Sequence, residues 1–180
     1  MSDQEIDKMG GLNLAGLSFD EMAMLIRLHK KHTSIENVIV TIIPILTEVS
    51  DHDKRADIIK AFELLLPKLD LTSLTTAASI LAQIDQKPIR DNVISAIELM
   101  PQTICDDQSI QQVASSFTKI SDSTGKQALD AIKLIILDKR TPETFTKVAS
   151  VIAGLNEVVI KDVITVIKLI NPATCDAVGI

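Results

Sequence analysis

Four short segments of the chain carry the same order of apolar and polar residues, and each begins 35 residues after the one before it. The segments are Ala61–Leu65, Ala96–Met100, Ala131–Ile135 and Val166–Ile170. A column further upstream repeats as well: Ile59, Ile94, Leu129 and Ile164. A fixed period over several columns is typical of proteins built from repeated units, because such a unit buries its apolar face only against its neighbours.

A second apolar pattern precedes each of these segments. Two of its columns are Ile42, Ala77, Val113 and Val148, and Leu46, Leu81, Phe117 and Ile152. Within each copy the apolar residues fall at i, i+1, i+4 and i+7, which is the spacing of one face of an α-helix. We therefore predict that every repeat consists of a first helix (A), a short turn and a second helix (B). The turns are expected at Ser50–Asp53, Asp85–Pro88, Ser121–Gly125 and Asn156–Glu157.

Several residues mark where the helices begin and end. Two pairs have the spacing of a capping box, in which a hydroxyl and a carboxylate satisfy free backbone N–H groups. They are Ser18 with Glu21 and Thr33 with Glu36. Thr141 before Pro142 fits an N-cap with proline in the first turn. Three prolines fall near the ends of B helices, where proline stops a helix: Pro67, Pro101 and Pro172.

One more helix, from Phe19 to about Lys31, is expected before the first full repeat, and we interpret it as a lone B-type helix that caps the stack. Residues 1–17 contain three glycines and are predicted to be a flexible N-terminal segment. Residues 18–180 are predicted to form one α-helical repeat domain. The predicted fold class is all-α: an α-solenoid of about four helical hairpins with a 35-residue repeat, plus the N-terminal capping helix, or about nine helices.

Each B helix keeps a narrow polar stripe of three residues spaced three apart, so that they share one helix face. The residues of this B-helix stripe are Asp57, Lys60, Glu63, Asn92, Ser95, Glu98, Gln127, Asp130, Lys133, Asp162, Thr165 and Lys168. Its third column changes from acidic to basic along the chain, which would steer a partner with the opposite gradient into register. We predict that the stripe lines a concave surface and binds a protein partner; the alternative is a solvated face without a partner.

The architecture resembles HEAT and armadillo repeats over residues 18–172, with a shorter period than is usual in those families. The Trp and Tyr positions of the tetratricopeptide pattern are absent. The resemblance implies a binding scaffold, which is rarely an enzyme. No Gly-rich phosphate loop, paired CxxC, HExxH or GxSxG motif occurs, so we expect neither enzymatic activity nor a cofactor.

Composition argues against several classes of partner. The formal net charge is −6, there is no Trp or Tyr, and no basic run extends beyond Lys30–Lys31. Nucleic-acid sites need clustered basic residues and often stacking aromatics, so nucleic acids and anionic membranes are not expected partners. The longest apolar stretch, Val38–Leu46, is far shorter than the roughly 20 residues of a membrane span. The acidic N-terminus lacks the apolar core of a secretory signal, which predicts a cytoplasmic protein.

The histidines offer a weak metal hypothesis. His29 and His32 are spaced i, i+3, and the turn residues Asp51–Asp53 add carboxylates and a third histidine. The neighbouring Lys30 and Lys31 repel cations, however, and cationic side chains are favoured at a helix C-terminus in any case. We therefore predict no metal site.

The two cysteines are predicted to be free thiols. Cys105 and Cys175 occupy the same position in repeats two apart. At a helix spacing of about 8–10 Å they would lie roughly 16–20 Å apart, well beyond the reach of a disulfide.

The last repeat, Val148–Ile170, is rich in Val and Ile, although terminal repeats normally carry a polar outer face. Either residues 171–180 fold back over it or this end packs on another chain, and we favour a homodimer through the C-terminal repeat.

The leading functional hypothesis is a non-enzymatic scaffold or adaptor that binds a peptide or helix of a protein partner. The alternative is a carrier of a lipid or other apolar ligand in a cavity between helices. Small residues at Ala77, Ala78, Ala114 and Ala149 could leave such a space, although they also allow close helix packing.

Overall fold

Nine α-helices and two short 3-10 helices form the secondary structure of the residues described by this computed structural model, 17–31 and 36–169. The α-helices are α1 (Phe19–Lys31), α2 (Glu36–Glu48), α3 (His52–Leu65), α4 (Leu71–Gln83), α5 (Lys87–Leu99), α6 (Asp107–Thr118), α7 (Asp122–Lys133), α8 (Pro142–Ala153) and α9 (Glu157–Leu169). The 3-10 helices are Gln102–Ile104 and Leu137–Lys139. These residues contain no strand, which confirms the all-α class.

The helix starts follow the sequence period. The A helices α2, α4, α6 and α8 begin at Glu36, Leu71, Asp107 and Pro142. The B helices α3, α5, α7 and α9 begin at His52, Lys87, Asp122 and Glu157. The 35-residue spacing is thus kept by every B helix, whereas α6 begins 36 residues after α4, so that α6 and α8 each begin one residue nearer to the B helix that follows them.

Two of the predicted helix starts are confirmed by hydrogen bonds. The Ser18 backbone N–H donates to Glu21 Oε2 at 2.6 Å, and the Glu21 N–H donates to Ser18 Oγ at 3.2 Å, which completes the capping box. The Thr144 N–H donates to Thr141 Oγ1 at 3.3 Å, and Pro142 is the first residue of α8. Local side-chain chemistry therefore decides where α1 and α8 begin.

Aspartates cap two other A helices. The Ser73 N–H donates to Asp70 Oδ1 and the Ser109 N–H donates to Asp106 Oδ1, each at 2.8 Å. Hydrogen bonds from the backbone and then from the hydroxyl of these serines lower the pKa of Asp70 and of Asp106. Because the ionised carboxylates accept these hydrogen bonds more strongly than the protonated acids do, both caps weaken as pH falls through the lowered pKa values.

Prolines follow the ends of two B helices, as predicted. Helix α3 ends at Leu65, two residues before Pro67, and helix α5 ends at Leu99, two residues before Pro101. The predicted signals at Thr33 and Pro172 lie outside the described residues, as does the proposed flexible segment except for Leu17, which is buried.

The helices divide into two compact units, residues 1–85 and 86–180. In the first unit, α1 packs on α2 and α3, and α4 packs on α2 and α3. In the second unit, α5 packs on α6 and α7, α8 packs on α6 and α7, and α9 packs on α7. Each of these contacts joins a helix to the next one or the next but one, so packing within each unit is local in sequence. The prediction of a single repeat domain over residues 18–180 stays a prediction.

The repeating apolar columns form the core of each unit. Ile42, Leu46, Ile59, Phe62 and Leu81 are buried in the first unit, and residues of the same columns fill the second: Ile94, Ile97, Val113, Phe117, Leu129 and Ile132. The alanines Ala77, Ala78, Ala114 and Ala149 are at most 1% exposed. Small side chains at these positions let neighbouring helices approach closely, as protein interiors require.

Candidate interaction surfaces

The first column of the B-helix stripe lies only partly at the surface. Asp57 and Asn92 are buried, Gln127 is half-buried and Asp162 is exposed. Asn92 on α5 donates from Nδ2 to the Asp122 backbone oxygen at 3.1 Å and to Asp122 Oδ1 at 3.2 Å. Asn92 therefore ties α5 to the first turn of α7. Partner contact is expected only from the stripe residues that remain at the surface.

Gly125 lets the Asn92 amide lie between helices α5 and α7. A Cβ atom on Gly125 would lie 2.5 Å from Asn92 Nδ2, so a larger residue there would displace the Asn92 side chain. Gly125 stands two residues before Gln127, at the position that Arg55 and Arg90 occupy in the preceding repeats. Arg55, Arg90 and Gly125 are all buried, so this position faces the interior in three successive B helices.

The other stripe residues divide between the two units. In the first unit, Lys60 on α3 is exposed and Glu63 is half-buried. In the second unit, Ser95 is half-buried and the remaining members are exposed: Glu98, Asp130, Lys133, Asp162 and Thr165. The side chain of Lys168 lies outside the part of the chain that the structure describes.

The exposed charges of the second unit stand on neighbouring helices, because α7 packs on both α5 and α9. Lys133 Nζ donates to Asp130 Oδ1 at 3.1 Å, and these side chains are 54% and 59% exposed. An ion pair this exposed adds little stability, so it holds neither charge firmly. The change from acidic Glu98 to basic Lys133 therefore occurs at the surface, where the charges can interact with a partner.

The last repeat exposes apolar residues whose equivalents are buried. Val166 on α9 is 55% exposed, whereas Ala61, Ala96 and Ala131 in the same column are buried. Three further valines are exposed or half-buried: Val151 on α8, and Val159 and Val163 on α9. We call Val151, Val159, Val163 and Val166 the C-terminal face. Its composition was visible in the sequence, but its exposure was not.

In the first unit, a buried ion pair joins α1 to α3. Arg55 Nε donates to Glu21 Oε1 at 2.8 Å and Arg55 Nη1 donates to the Val49 backbone oxygen at 2.8 Å, while Nη2 contacts the His52 ring. The side chains of Arg55 and Glu21 are 5% and 3% exposed. Sequence reasoning found Glu21 as a cap but missed its second role, because nothing local predicts that Arg55 lies beside it.

Hydrogen bonding decides the charge state of Glu21. Burial by itself would raise the pKa of Glu21, but the hydrogen bonds from Ser18 and Arg55 and the Arg55 charge outweigh burial and hold the pKa below its usual value. The pair is therefore ionised at neutral pH. The polar atoms of the Glu21–Arg55 pair bond to other groups of the protein, so we assign the pair to the packing of α1 on α3 and not to ligand binding.

The histidine and cysteine candidates are only partly within the residues that the structure describes. Among the residues that the structure describes, no group of three or more His, Cys, Asp or Glu side chains is arranged to hold a metal ion. The side chains of His29 and His32 lie outside that part. Cys105 is a buried thiol that donates to the Pro101 backbone oxygen at 3.1 Å. Cys175 also lies outside the described residues.

Within the described ranges, no helix has the length and apolar character that crossing a bilayer requires. No model of a known protein family, no curated protein and no solved structure matches the sequence or its fold.

Proposed function

We propose that this chain is a non-enzymatic, cytoplasmic interaction scaffold that binds a peptide or helix of a protein partner along the exposed part of the B-helix stripe. One observation carries the proposal. In the second unit, Glu98 and Lys133 are exposed at equivalent positions of the neighbouring B helices α5 and α7, and Asp130 on α7 and Asp162 on α9 are exposed in the other two columns of the stripe. Equivalent positions on parallel elements recur at a regular spacing, which suits an extended or helical segment lying across them.

An α-solenoid arrangement is part of the same proposal. Within each unit, A helices pack on A helices, B helices pack on B helices, and each B helix except α9 packs on the A helix that follows it, which is a contact pattern suited to stacked repeats. The helix starts keep the 35-residue period of the sequence as well. Stacked hairpins leave one set of helices facing a shared surface, and we assign the B helices to that role.

The charges on the stripe specify the chemistry of the partner. Glu98 calls for a basic residue on the bound segment and Lys133 for an acidic one, in that order along the stack. Complementary charge of this kind chiefly sets the rate of association and the register of binding. Binding should therefore weaken as salt rises above physiological ionic strength, because exposed charges are screened over about 8 Å there.

Charge reversal on α7 tests the proposal. We expect Lys133→Glu to reduce the partner recovered by affinity capture, followed by quantitative mass spectrometry, by at least about tenfold, the effect of one repulsive charge at a complementary interface. Lys147→Glu is the control, since Lys147 is an exposed lysine on the A helix α8 of the same unit and does not belong to the B-helix stripe. Equal recovery of every captured protein by the two variants and the wild type would refute the stripe as the site.

The same purified sample tests the carrier alternative. Native mass spectrometry should show the bare protein mass if the chain is a scaffold. A retained mass of a few hundred daltons would instead support a carrier of an apolar ligand. We also propose that two copies of the chain associate through the C-terminal repeat, whose Val-rich surface is exposed.

A further inference from the structure

The exposed charges of helices α5 and α7 fall in two columns, of which the B-helix stripe includes the one that contains Glu98 and Lys133. Asp91 on α5 and Lys126 on α7 stand seven residues earlier and form the other, and their side chains are 52% and 64% exposed. Seven residues make nearly two whole turns of a helix. Asp91 therefore lies within about 20° of Glu98 around α5, and Lys126 lies equally close to Lys133 around α7.

This added column stands at the surface where the first column of the stripe does not. Asn92 is buried and Gln127 is half-buried, whereas the residues directly before them, Asp91 and Lys126, are exposed. One step along a helix turns the side chain by about 100°, so neighbours in sequence occupy different faces. We call Asp91, Glu98, Lys126 and Lys133 the paired-column face.

Both columns of the paired-column face change sign in the same sense between the two helices. Helix α5 contributes Asp91 and Glu98, and helix α7 contributes Lys126 and Lys133. The connections on either side of α6 are short, so α5 and α7 run in the same direction, and these two helices pack on each other. The face is therefore acidic on one helix and basic on the next at two levels, and Lys161 continues the basic side on α9.

Opposite charges on the same helices bond to this face but hold it weakly. Lys126 Nζ donates to Asp122 Oδ2 at 2.8 Å, and Lys87 Nζ donates to Asp91 Oδ1 at 3.4 Å. Both pairs join residues four apart on the surface of one helix, where an ion pair contributes little stability. Charges on a partner can therefore replace these bonds at small cost.

The dimensions of the paired-column face distinguish a helical partner from an extended one. Packed helices lie about 8–10 Å apart, and seven residues span about 10.5 Å along each helix. An α-helix with its side chains is about 10–12 Å wide, so a helix lying across α5 and α7 contacts both columns. An extended segment is only about 5 Å wide, the spacing of strands in a sheet, and follows one column. Two columns with the same change of sign therefore favour a helix.

We propose that the partner segment is an α-helix that lies across α5 and α7 on the paired-column face, with basic residues over α5 and acidic residues over α7. The inference rests on the scaffold proposed above and names its class of partner, together with two further specificity-determining residues, Asp91 and Lys126. A helix advances from one B helix to the next in about six or seven residues. Its basic and acidic groups are therefore separated by that number of residues, and complementary charge at both levels fixes its register.

Variants at position 126 of the full chain test the added column. The probes are the proteins that the wild type retains in the affinity capture described above. We expect Lys126→Glu to reduce recovery of the same protein that Lys133→Glu loses, again by at least about tenfold. Lys147→Glu, which makes the same change of charge on α8, should leave this recovery unchanged.

An exchange of two neighbouring residues tests the position of the charge. The double variant Lys126→Gln, Gln127→Lys keeps composition and net charge but moves the cation about 100° around α7, into the column that the sequence alone favours. We expect about a threefold loss of recovery, the effect of removing one exposed charge pair. Circular dichroism should show unchanged helix content and melting temperature in every variant.

Photo-crosslinking tests the helical form of the partner. The photoreactive residue p-benzoylphenylalanine replaces Asp91 in one protein and Lys126 in another, and mass spectrometry locates the attachment points on the captured protein. We expect attachment beside basic residues from α5 and beside acidic residues from α7, about six or seven residues apart in one segment. An extended segment would give a separation of about three residues.

The outcomes separate this inference from the scaffold proposal. Loss of one protein with both Lys126→Glu and Lys133→Glu, with crosslinks six or seven residues apart as a helix requires, supports the helical partner. Loss with only one of these variants, or full recovery by the exchange variant, overturns the paired-column face. Crosslinks about three residues apart, at sites without these charges, or absent from both positions overturn the helical partner. Full recovery of every protein by both variants refutes the scaffold site as well.

Discussion

Gly125 decides whether the Asn92 amide can lie between α5 and α7. Glycine at position 125 lets the Asn92 amide reach two oxygens of Asp122. The amide is buried, and a buried polar group that loses its partners costs about 1–3 kcal/mol. Asn92 and Gly125 therefore act as a matched pair that sets the approach of α5 to α7.

We predict that Gly125→Ala lowers the free energy of unfolding of the wild type but raises that of the Asn92→Ala variant. Alanine in a helix is about 1 kcal/mol more stable than glycine, but here its methyl group would displace Asn92 from Asp122. In the wild type, urea denaturation should show a net loss of about 1 kcal/mol or more. In the Asn92→Ala background, where the obstructing amide is gone, the same substitution should stabilise by up to about 1 kcal/mol.

Gly154→Ala is the control for this pair, because a Cβ atom there would lie 3.5 Å from the nearest heavy atom, an ordinary contact. It should change the free energy of unfolding by less than about 0.5 kcal/mol. The same sign for Gly125→Ala in both backgrounds would show that Asn92 is not the obstruction.

At the scale of elements, α1 is held to the first unit by one buried ion pair as well as by its apolar face. Leu25 of α1 is buried, and Glu21 on the same helix meets Arg55 of α3. Removing one partner of a buried pair leaves an uncompensated charge, whereas replacing both with apolar residues is often tolerated. The pair therefore specifies how α1 sits on α3 more than it adds net stability.

We predict that Glu21→Ala lowers the free energy of unfolding of the first unit by about 3–5 kcal/mol. The double variant Glu21→Leu, Arg55→Met should lower it far less, because it leaves no unpaired buried charge. The pKa of Glu21 is lowered from 4.5, so its contribution is fully present above that pH and disappears as pH falls through the lower folded value. The unfolding free energy of the wild type should therefore fall more steeply below pH 4.5 than that of the double variant. If the unfolding free energy measured by urea denaturation fell equally steeply with decreasing pH in both proteins, this account would be contradicted.

On the scale of the whole molecule, the packing is local within each unit. Every recorded pair of packed helices lies one or two helices apart along the chain. Stability in such arrangements is nearly a sum of contributions from each repeat and its nearest contacts. A defect in one helix should therefore spread only to the helices that touch it.

Hydrogen exchange measures that spread. Phe117 on α6 is fully buried, and Phe117→Ala should cost about 3–5 kcal/mol. Amide exchange should accelerate most in α6 and in its contact helices α5 and α8. Phe62→Ala, at the equivalent depth in the first unit, should instead accelerate exchange in α3 and its neighbours α1 and α4. Uniform acceleration over all nine helices by either variant would show that the chain unfolds as one block.

The amino-acid sequence by itself determined the helices and their order. Periodicity marks which residues of a helix are apolar, and caps such as Ser18 and Thr141 act through hydrogen bonds to residues three positions away. Both signals are local, so the all-α class, the helix starts and the buried columns could be predicted without knowing how the helices pack.

Only the tertiary structure decided which polar residues reach the surface. Asp57 and Asn92 share the periodicity of Glu98 and Lys133, yet the first two are buried and the last two are exposed. Asn92 is covered because Gly125 leaves room for its amide between α5 and α7, and no spacing along one helix encodes that approach. The pairing of Glu21 with Arg55 and the exposure of Val166 likewise depend on which helix lies alongside, because burial is a property of the neighbours and not of the segment itself.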